Sequence, residues 1–325
     1  MSDQPPDEVL RLADERAAAR AAGDFGRADA LRDEIRGLGW EPSDGRAGTS
    51  LRPVLPDAPG AVGYARPEDM PSLLDQPATV AAGLLTVAEE HPEDLARFVN
   101  GLASAPPLVS WELTVVGNAP SFDVGEVLGA VDLEVEPSIL RTSARLGWAD
   151  AVNLGLRRSR AEVTVLLDTS LEPTGDFVEA LLGAFEDPAV GLAGPWGVSS
   201  TDGRQFEEAP PGEVDAIEAY CLAVRRATLR DVGLFDRHFR YYRNADLDFS
   251  FAARAAGWRA LRTPPLPLQR HDHRGYASLP AEERDRVSRR NFYRFLKHWG
   301  DRRDLLLHPE PRTPHHHQEA DRASG

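Results

Sequence analysis

From residue 79 onward, short unbroken apolar runs alternate with stretches in which apolar residues recur every three or four positions. The runs Thr79–Val87, Trp111–Val116, Leu133–Val135, Glu162–Asp168, Val190–Pro195 and Tyr220–Arg225 predict strands. A run that short and continuous suits a strand buried on both faces. The periodic stretches predict helices over Pro92–Leu102, Asp123–Val131, Gly147–Arg158, Phe177–Phe185, Ala227–Val232, Ala245–Gly257 and Pro280–Trp299. In the first of these, Leu95, Phe98, Val99 and Leu102 share one face, and Pro92 sits where a first-turn proline is tolerated. Such alternation implies an α/β fold with a mostly parallel central sheet and helices on both faces. Ser199–Pro211 reads as a polar loop, and Leu261–Leu268 as extended chain broken by prolines.

The first 53 residues follow a different rhythm. Glu8–Ala22 is rich in Ala, Arg, Glu and Leu, all good helix formers, and Gly23 stops it. Asp24 caps a second helix in which Phe25, Ala28, Leu31 and Ile35 recur at helical spacing. The prediction is a small αα-hairpin over 1–53. Residues 54–77 carry many Pro, Gly, Asp and Ala without periodicity and read as a linker. A main domain over 78–305 and a disordered, Pro- and His-rich tail over 306–325 complete the division, with His315, His316 and His317 an incidental run.

Hydrophobic residues make up 42% of the chain, enough for a real core, yet no apolar run approaches the roughly 20 residues that span a bilayer. The acidic N-terminus lacks the basic-then-apolar pattern of a signal peptide. Cytoplasmic residence is therefore expected, with peripheral attachment to the inner face of a membrane left open. The single Cys221 excludes an internal disulfide and a multi-cysteine metal site. The net charge of -15 argues against broad nucleic-acid binding, which needs a basic face. It is compatible with a phosphorylated substrate bridged to acidic residues by a divalent cation.

Three clusters carry candidate chemistry. Asp168, with Ser170 and Glu172, ends the apolar run from Glu162, and ligands of open α/β sheets gather at the carboxyl ends of strands. Asn244, Asp246 and Asp248 open a helix, where carboxylates also serve as caps and dipole partners. His271 and His273 form a His-x-His pair in a loop.

The order of these clusters is that of a known family. Leu84-Leu-Thr-Val and His91-Pro-Glu-Asp-Leu95 fit its first strand and helix, and Trp111 to Asn118 its second strand. Leu146-Gly-Trp-Ala-Asp-Ala-Val-Asn-Leu-Gly155 is similar to its Asn-containing helix, and Val165-Leu-Leu-Asp168 to the strand that enters its DxD motif. Leu222-Ala-Val-Arg-Arg226, Val232-Gly-Leu-Phe-Asp236, Tyr241-Tyr-Arg-Asn-Ala-Asp246-Leu-Asp248 and Arg254-Ala-Ala-Gly-Trp258 follow in register, then Asn291 to Gly300. Residues 79–300 thus resemble family 2 glycosyltransferases, which have the GT-A fold.

The resemblance implies inverting transfer of a sugar from a nucleotide-diphosphate sugar to a glycan, lipid-linked or small acceptor. It implies Asp246 as base with Asp248 substituting or supporting, and Val87, Glu89, Asn118, Asn153 and Asp168 at the donor. It further implies a divalent cation, Mn or Mg, held by Asp168 with Ser170, His271 or His273. Three positions depart from the family pattern: Gly117 replaces an Asp, Ser170 replaces the second acid of DxD, and Ala245 replaces the Glu before the base. The alternative they motivate is a degenerate GT-A domain that holds a sugar nucleotide or a partner without turnover.

The N-terminal stretch has its own resemblance. Leu12 to Arg20, Gly23 to Ile35, Gly39-Trp-Glu-Pro and Gly48-Thr-Ser-Leu-Arg52 look like the C-terminal helical segment of bacterial cysteinyl-tRNA synthetases, with a UVR-type hairpin a looser match. It implies a tRNA or protein contact through 1–53, or a reused hairpin packed on a neighbour. The synthetase's catalytic and zinc-binding parts are not included, so no aminoacylation follows.

Overall fold

The structure, a computed structural model, describes residues 5–22, 24–38, 40–45, 48–53, 63–274 and 279–310. The N-terminal unit is two helices followed by a β-hairpin. Helix α1 (Asp7–Ala21) and α2 (Phe25–Gly37) precede strands β1 (Trp40–Gly45) and β2 (Gly48–Pro53), which pair antiparallel. Asp24 Oδ1 accepts the Arg27 N–H at 3.0 Å, as its capping position predicts. Val9, Leu12, Ala13, Leu31, Ile35 and Trp40 form a small core of their own. The predicted αα-hairpin is therefore an ααββ unit, because Trp40 carries the hairpin onto the helices.

The main sheet has eight strands. In chain order they are β3 (Val80–Ala88), β4 (Trp111–Gly117), β5 (Ser138–Arg141), β6 (Ala161–Leu167), β8 (Val190–Gly194), β11 (Gly212–Val214), β13 (Cys221–Arg225) and β14 (Arg259–Arg262). Their spatial order is β11-β14-β8-β13-β6-β3-β4-β5. The half from β6 to β5 is parallel. Strand β13 runs antiparallel to both β6 and β8, so the sheet is mixed. Smaller strands lie beside it: β7 (Leu171–Pro173) pairs with β15 (Leu268–Arg270), and β9 (Gly197–Ser199) pairs with β10 (Glu207–Glu208) and β12 (Ala216–Ile217).

Alternate residues of each central strand feed opposite cores, as a two-residue period requires. Leu84, Val115 and Val165 face a core closed by α3 (Pro92–Ser104), α4 (Val124–Gly129) and α6 (Val178–Gly183). Leu85, Val116 and Leu166 face the opposite core, closed by α5 (Trp148–Arg158), α7 (Arg226–Val232) and α8 (Ala245–Ala255). A last helix, α9 (Ala281–Trp299), packs Phe295 against Phe251 of α8 with ring centroids 5.0 Å apart.

Four expectations shift. Leu133–Val135 is not a strand; the ladder begins after Pro137, which has no N–H to give, with Ser138 opposite Thr114. Leu133 and Val135 still pack on the core from a loop. The polar loop Ser199–Pro211 holds the short β10, too brief to leave a pattern. Of the expected linker, 54–62 lies outside the described residues. Residues 63–77 are part of the domain: Met70 and Leu74 are buried, and the Leu73 N–H donates to the Arg157 carbonyl at 2.8 Å. Of the expected tail, Leu306 is buried and the Leu307 N–H donates to Asp215 Oδ1, whereas 311–325, with the His315–His317 run, lies outside the described residues.

Candidate active site

Strands β3, β4 and β6 end side by side, so the residues after them share one edge of the sheet. Two cavities open there. The larger, about 390 Å³, is bordered by Val87, Glu89, Arg145, Asp168, Tyr242 and His273 among others. The smaller, about 190 Å³, is bordered by Trp148, Asp168, Glu218, Tyr220, Tyr242 and Asp246. Asp168, Trp148, Ala219, Tyr242 and His273 border both, so the two form one continuous cleft. Asp168 and Asp246, distant in sequence, meet across it.

Asp168 stands immediately after β6, where its N–H bonds the Tyr220 carbonyl at 3.0 Å. Its Oδ1 accepts the Ser170 N–H at 2.8 Å, and its Oδ2 lies 3.2 Å from His273 Nε2. Burial alone would raise this carboxyl, but the bonds from His273 and Ser170 hold it below the usual carboxylate range. On His273 burial opposes the charge, while the same contact with Asp168 prevails and lifts the imidazole above its ordinary value. The β7–β15 pair delivers this histidine: the His271 N–H bonds the Ser170 carbonyl at 2.9 Å. Tyr242 then stacks on the His273 ring at 4.8 Å between centroids.

Asp246 sits in the first turn of α8. Its Oδ2 accepts the Ala219 N–H at 3.1 Å and its Oδ1 the Leu247 N–H at 3.0 Å. Desolvation outweighs these bonds and keeps its carboxyl above the usual range. Asn244 just before it has φ 65°, a left-handed conformation that Asn tolerates, and this turns the chain into the helix.

Other expected site residues are placed elsewhere. Asp248 faces away from the cleft and accepts from Trp299 Nε1 at 2.9 Å, with His298 Nδ1 at 3.0 Å; it ties α8 to α9. Asn118 is fully buried, donates to Glu89 Oε1 at 2.6 Å and accepts the Leu146 N–H at 2.8 Å, so it braces the wall rather than facing a ligand. Asn153 clips both the N–H and the carbonyl of Phe235, at 3.0 and 2.7 Å. The His271 ring turns to Glu172, 2.7 Å away, and not to Asp168. Ser170 and Val87 do border the larger cavity, as does Glu89, which Arg145 Nη2 meets at 2.6 Å.

Sequence reasoning missed Trp148, Glu218, Tyr220, Tyr242 and Arg145. The aromatic residues immediately flanking the Asn-helix, the β13 run and the Asp246 turn were a usable signal, since polar chemistry on a strand edge is commonly walled by rings.

Asp168 Oδ2 and His273 Nε2 also suit a divalent cation. One oxygen and one nitrogen ligand separated by 3.2 Å match two adjacent positions around an ion with bonds of about 2.1 Å. Among the described residues the one cluster of three ligand groups is elsewhere, at Asp236, Asp248 and His298.

The glycosyl transferase family 2 model matches residues 86–251, from the end of β3 to past the middle of α8. The chain belongs to glycosyl transferase family 2. Curated relatives of this family 2 chain include two pre-mycofactocin glycosyltransferases from strains of Mycobacterium tuberculosis, each 28% identical over 307 residues, 89% of this chain. The chain spans 57% of those relatives' length. Among solved structures, GalNAc-T7 with UDP, GalNAc and Mn2+ shares the fold, with a TM-score of 0.56 at 13% identity over 74% of this chain and 56% of that one. A cysteine–tRNA ligase of Opitutus terrae is 52% identical over 49 residues, 15% of this chain and 11% of the ligase. No described helix is long and apolar enough to cross a membrane.

Proposed function

We propose that this family 2 chain transfers a glycosyl group from a nucleoside-diphosphate sugar to an acceptor hydroxyl with inversion. The observation that carries the reading is the shared cleft of Asp168 and Asp246. The larger cavity, beyond the ends of β3 and β6, takes the nucleotide. The smaller takes the sugar and the acceptor, between Trp148, Tyr220 and Tyr242.

Asp246 accepts the proton of the attacking hydroxyl. The acceptor oxygen bonds to the anomeric carbon as the bond to the diphosphate oxygen breaks on the opposite side, and the nucleoside diphosphate leaves with that electron pair. A carboxyl above its ordinary range binds the transferred proton more firmly, which favours the step. The two backbone N–H groups of Ala219 and Leu247 fix the carboxylate's orientation. Asp168 and His273 would hold a divalent cation, which supplies charge neutralisation for the departing diphosphate.

The test is transfer and donor binding with UDP-, GDP- and dTDP-sugars, with and without manganese. The relatives' name makes pre-mycofactocin one acceptor to try beside glycans and lipid-linked sugars. If no nucleotide sugar binds, the transferase reading is lost. Ser170 and Ala245, where the family carries acids, favour a second reading in which donor binds without turnover. Calorimetric binding with no product under any acceptor would select it. For residues 1–53 we keep the proposal of a tRNA or protein contact; absence of a gel shift with tRNA at moderate salt removes the RNA half of it.

A further inference from the structure

A third groove, about 720 Å³, lies outside the cleft, between α9, the chain from Arg237 to Arg240 and Asp150 of α5. The loop contributes Arg237, His238 and Arg240, and the helix contributes Arg290, Arg294 and Lys297. Positions 290, 294 and 297 follow the i, i+4, i+7 spacing of one helix face. Five permanently cationic side chains thus face one groove on a chain whose net charge is -15.

Their internal partners are few. Arg294 Nε donates to Asp236 Oδ2 at 2.6 Å, and His238 Nδ1 lies 2.7 Å from Asp236 Oδ1. Arg237 approaches the groove's carboxylate, Asp150, only to 3.7 Å. Arg240, Arg290 and Lys297 are exposed and form no close ion pair among the described residues, although the field of Arg240 reaches Asp150. Like charges gathered this way repel, and an overall acidic fold has no solubility need for them. Asp236, outside the groove's lining, partners only Arg294 and His238, and the rim stays cationic.

We propose that this groove binds the phosphate groups of a ligand carrying at least two of them. Guanidinium groups meet phosphate oxygens with paired N–H donors, and an ammonium adds a point charge. Arg290 and Lys297 lie two helical turns apart, about 10 Å along the axis, within converging reach of their long side chains. Five cations exceed the charge of one monophosphate, which favours a ligand with two or more phosphate groups. Arg240 borders both this groove and the larger cavity of the cleft, so a molecule seated in the groove reaches the cleft's mouth. Binding here is independent of turnover.

The probe is inorganic pyrophosphate, titrated calorimetrically into the full chain at low salt with EDTA present. Binding is expected, weakening steeply as salt rises. The double variant Arg290→Gln/Lys297→Gln, both at exposed positions, is expected to weaken it at least tenfold, while Arg66→Gln, an exposed arginine elsewhere, and Asp168→Asn leave it unchanged. No binding to the parent chain, equal binding to the double variant, or loss of binding in Asp168→Asn would each overturn the proposal. Sedimentation with vesicles containing cardiolipin, whose headgroup carries two phosphates, distinguishes the source. Pelleting that the double variant loses identifies a lipid headgroup, and pyrophosphate binding without pelleting identifies a soluble phosphate ligand.

Discussion

Asp168 Oδ2 lies 3.2 Å from His273 Nε2 at the junction of the two cavities of the cleft. The contact pulls the two groups in opposite directions, the carboxyl down and the imidazole up. In the metal-free protein the pair's contribution to stability is fully present from the unfolded carboxylate range up to the unfolded histidine value. It is lost as pH rises through the raised value of His273, and as pH falls through the depressed value of Asp168. A cation needs the neutral imidazole, so its affinity runs the other way. Manganese binding is expected to strengthen between pH 6 and pH 8, while metal-free thermal stability declines over the same interval. His273→Ala should flatten both trends. Calorimetry and melting curves at each pH check this, and a manganese affinity that ignores pH counts against the pair as ligands.

Asp246 is the second arm of the cleft. Replacing it with Asn keeps the side chain's size but removes its capacity to take a proton. Transfer is expected to fall by about 10²- to 10⁴-fold, with the donor dissociation constant close to that of the parent. Because desolvation lifts this carboxyl, the acidic limb of kcat should lie above the ordinary carboxylate range. A base works only when ionised, so activity declines as pH falls through that limb. Retained turnover in Asp246→Asn would move the base elsewhere, with Glu218 the neighbouring carboxyl in the same cavity.

Asp248 is expected to behave differently. Its bonds to Trp299 and His298 join α8 to α9, away from the reacting groups. Asp248→Ala leaves the half-buried indole N–H of Trp299 without its acceptor, at a cost of about 1 kcal/mol. Denaturation should show the loss, and kcat of the folded fraction should change little. A large drop in kcat at unchanged stability would return Asp248 to the chemistry.

The contrast between these two acids shows what the sequence could and could not convey. Continuous apolar runs gave β3, β4, β6 and β13, because a strand buried on both faces has little room for polar residues. The order of motifs brought Asp168 and Asp246 together. Motifs do not say where a side chain points. Asp246 and Asp248 are two positions apart on one helix, so they project about 200° apart, one to the cleft and one to α9. Asn118 and Asn153 were unreadable for a related reason: a polar residue that satisfies buried backbone groups has the same letter as one that awaits a ligand. Likewise a regular strand would put His271 and His273 on one side. Strand β15 ends at Arg270, however, and in the irregular chain beyond it His271 turns to Glu172 while only His273 reaches Asp168.

The motif around Gly155 makes a packing prediction of its own. A Cβ built at Gly155 would lie 2.2 Å from Leu85 Cδ1 and 3.0 Å from Cδ2, because α5 approaches β3 closely there. Two effects compete in Gly155→Ala. Alanine gains up to about 1 kcal/mol of helix propensity over glycine, while overpacking a fixed core costs about 1–3 kcal/mol. Leu85 is buried at 1% exposure in a central strand paired on both sides, so it has little freedom to yield. Steric cost should prevail, and Gly155→Ala should be destabilising. Leu85→Ala alone opens a cavity and should destabilise more, by about 2–5 kcal/mol. Combining the two should cost less than the sum of the single changes, because the new methyl occupies part of that space. Urea denaturation followed by tryptophan fluorescence measures all three. Strict additivity would mean that the helix shifts to relieve the contact. In that case the end of β3, where Val87 and Glu89 border the cleft, would move with it.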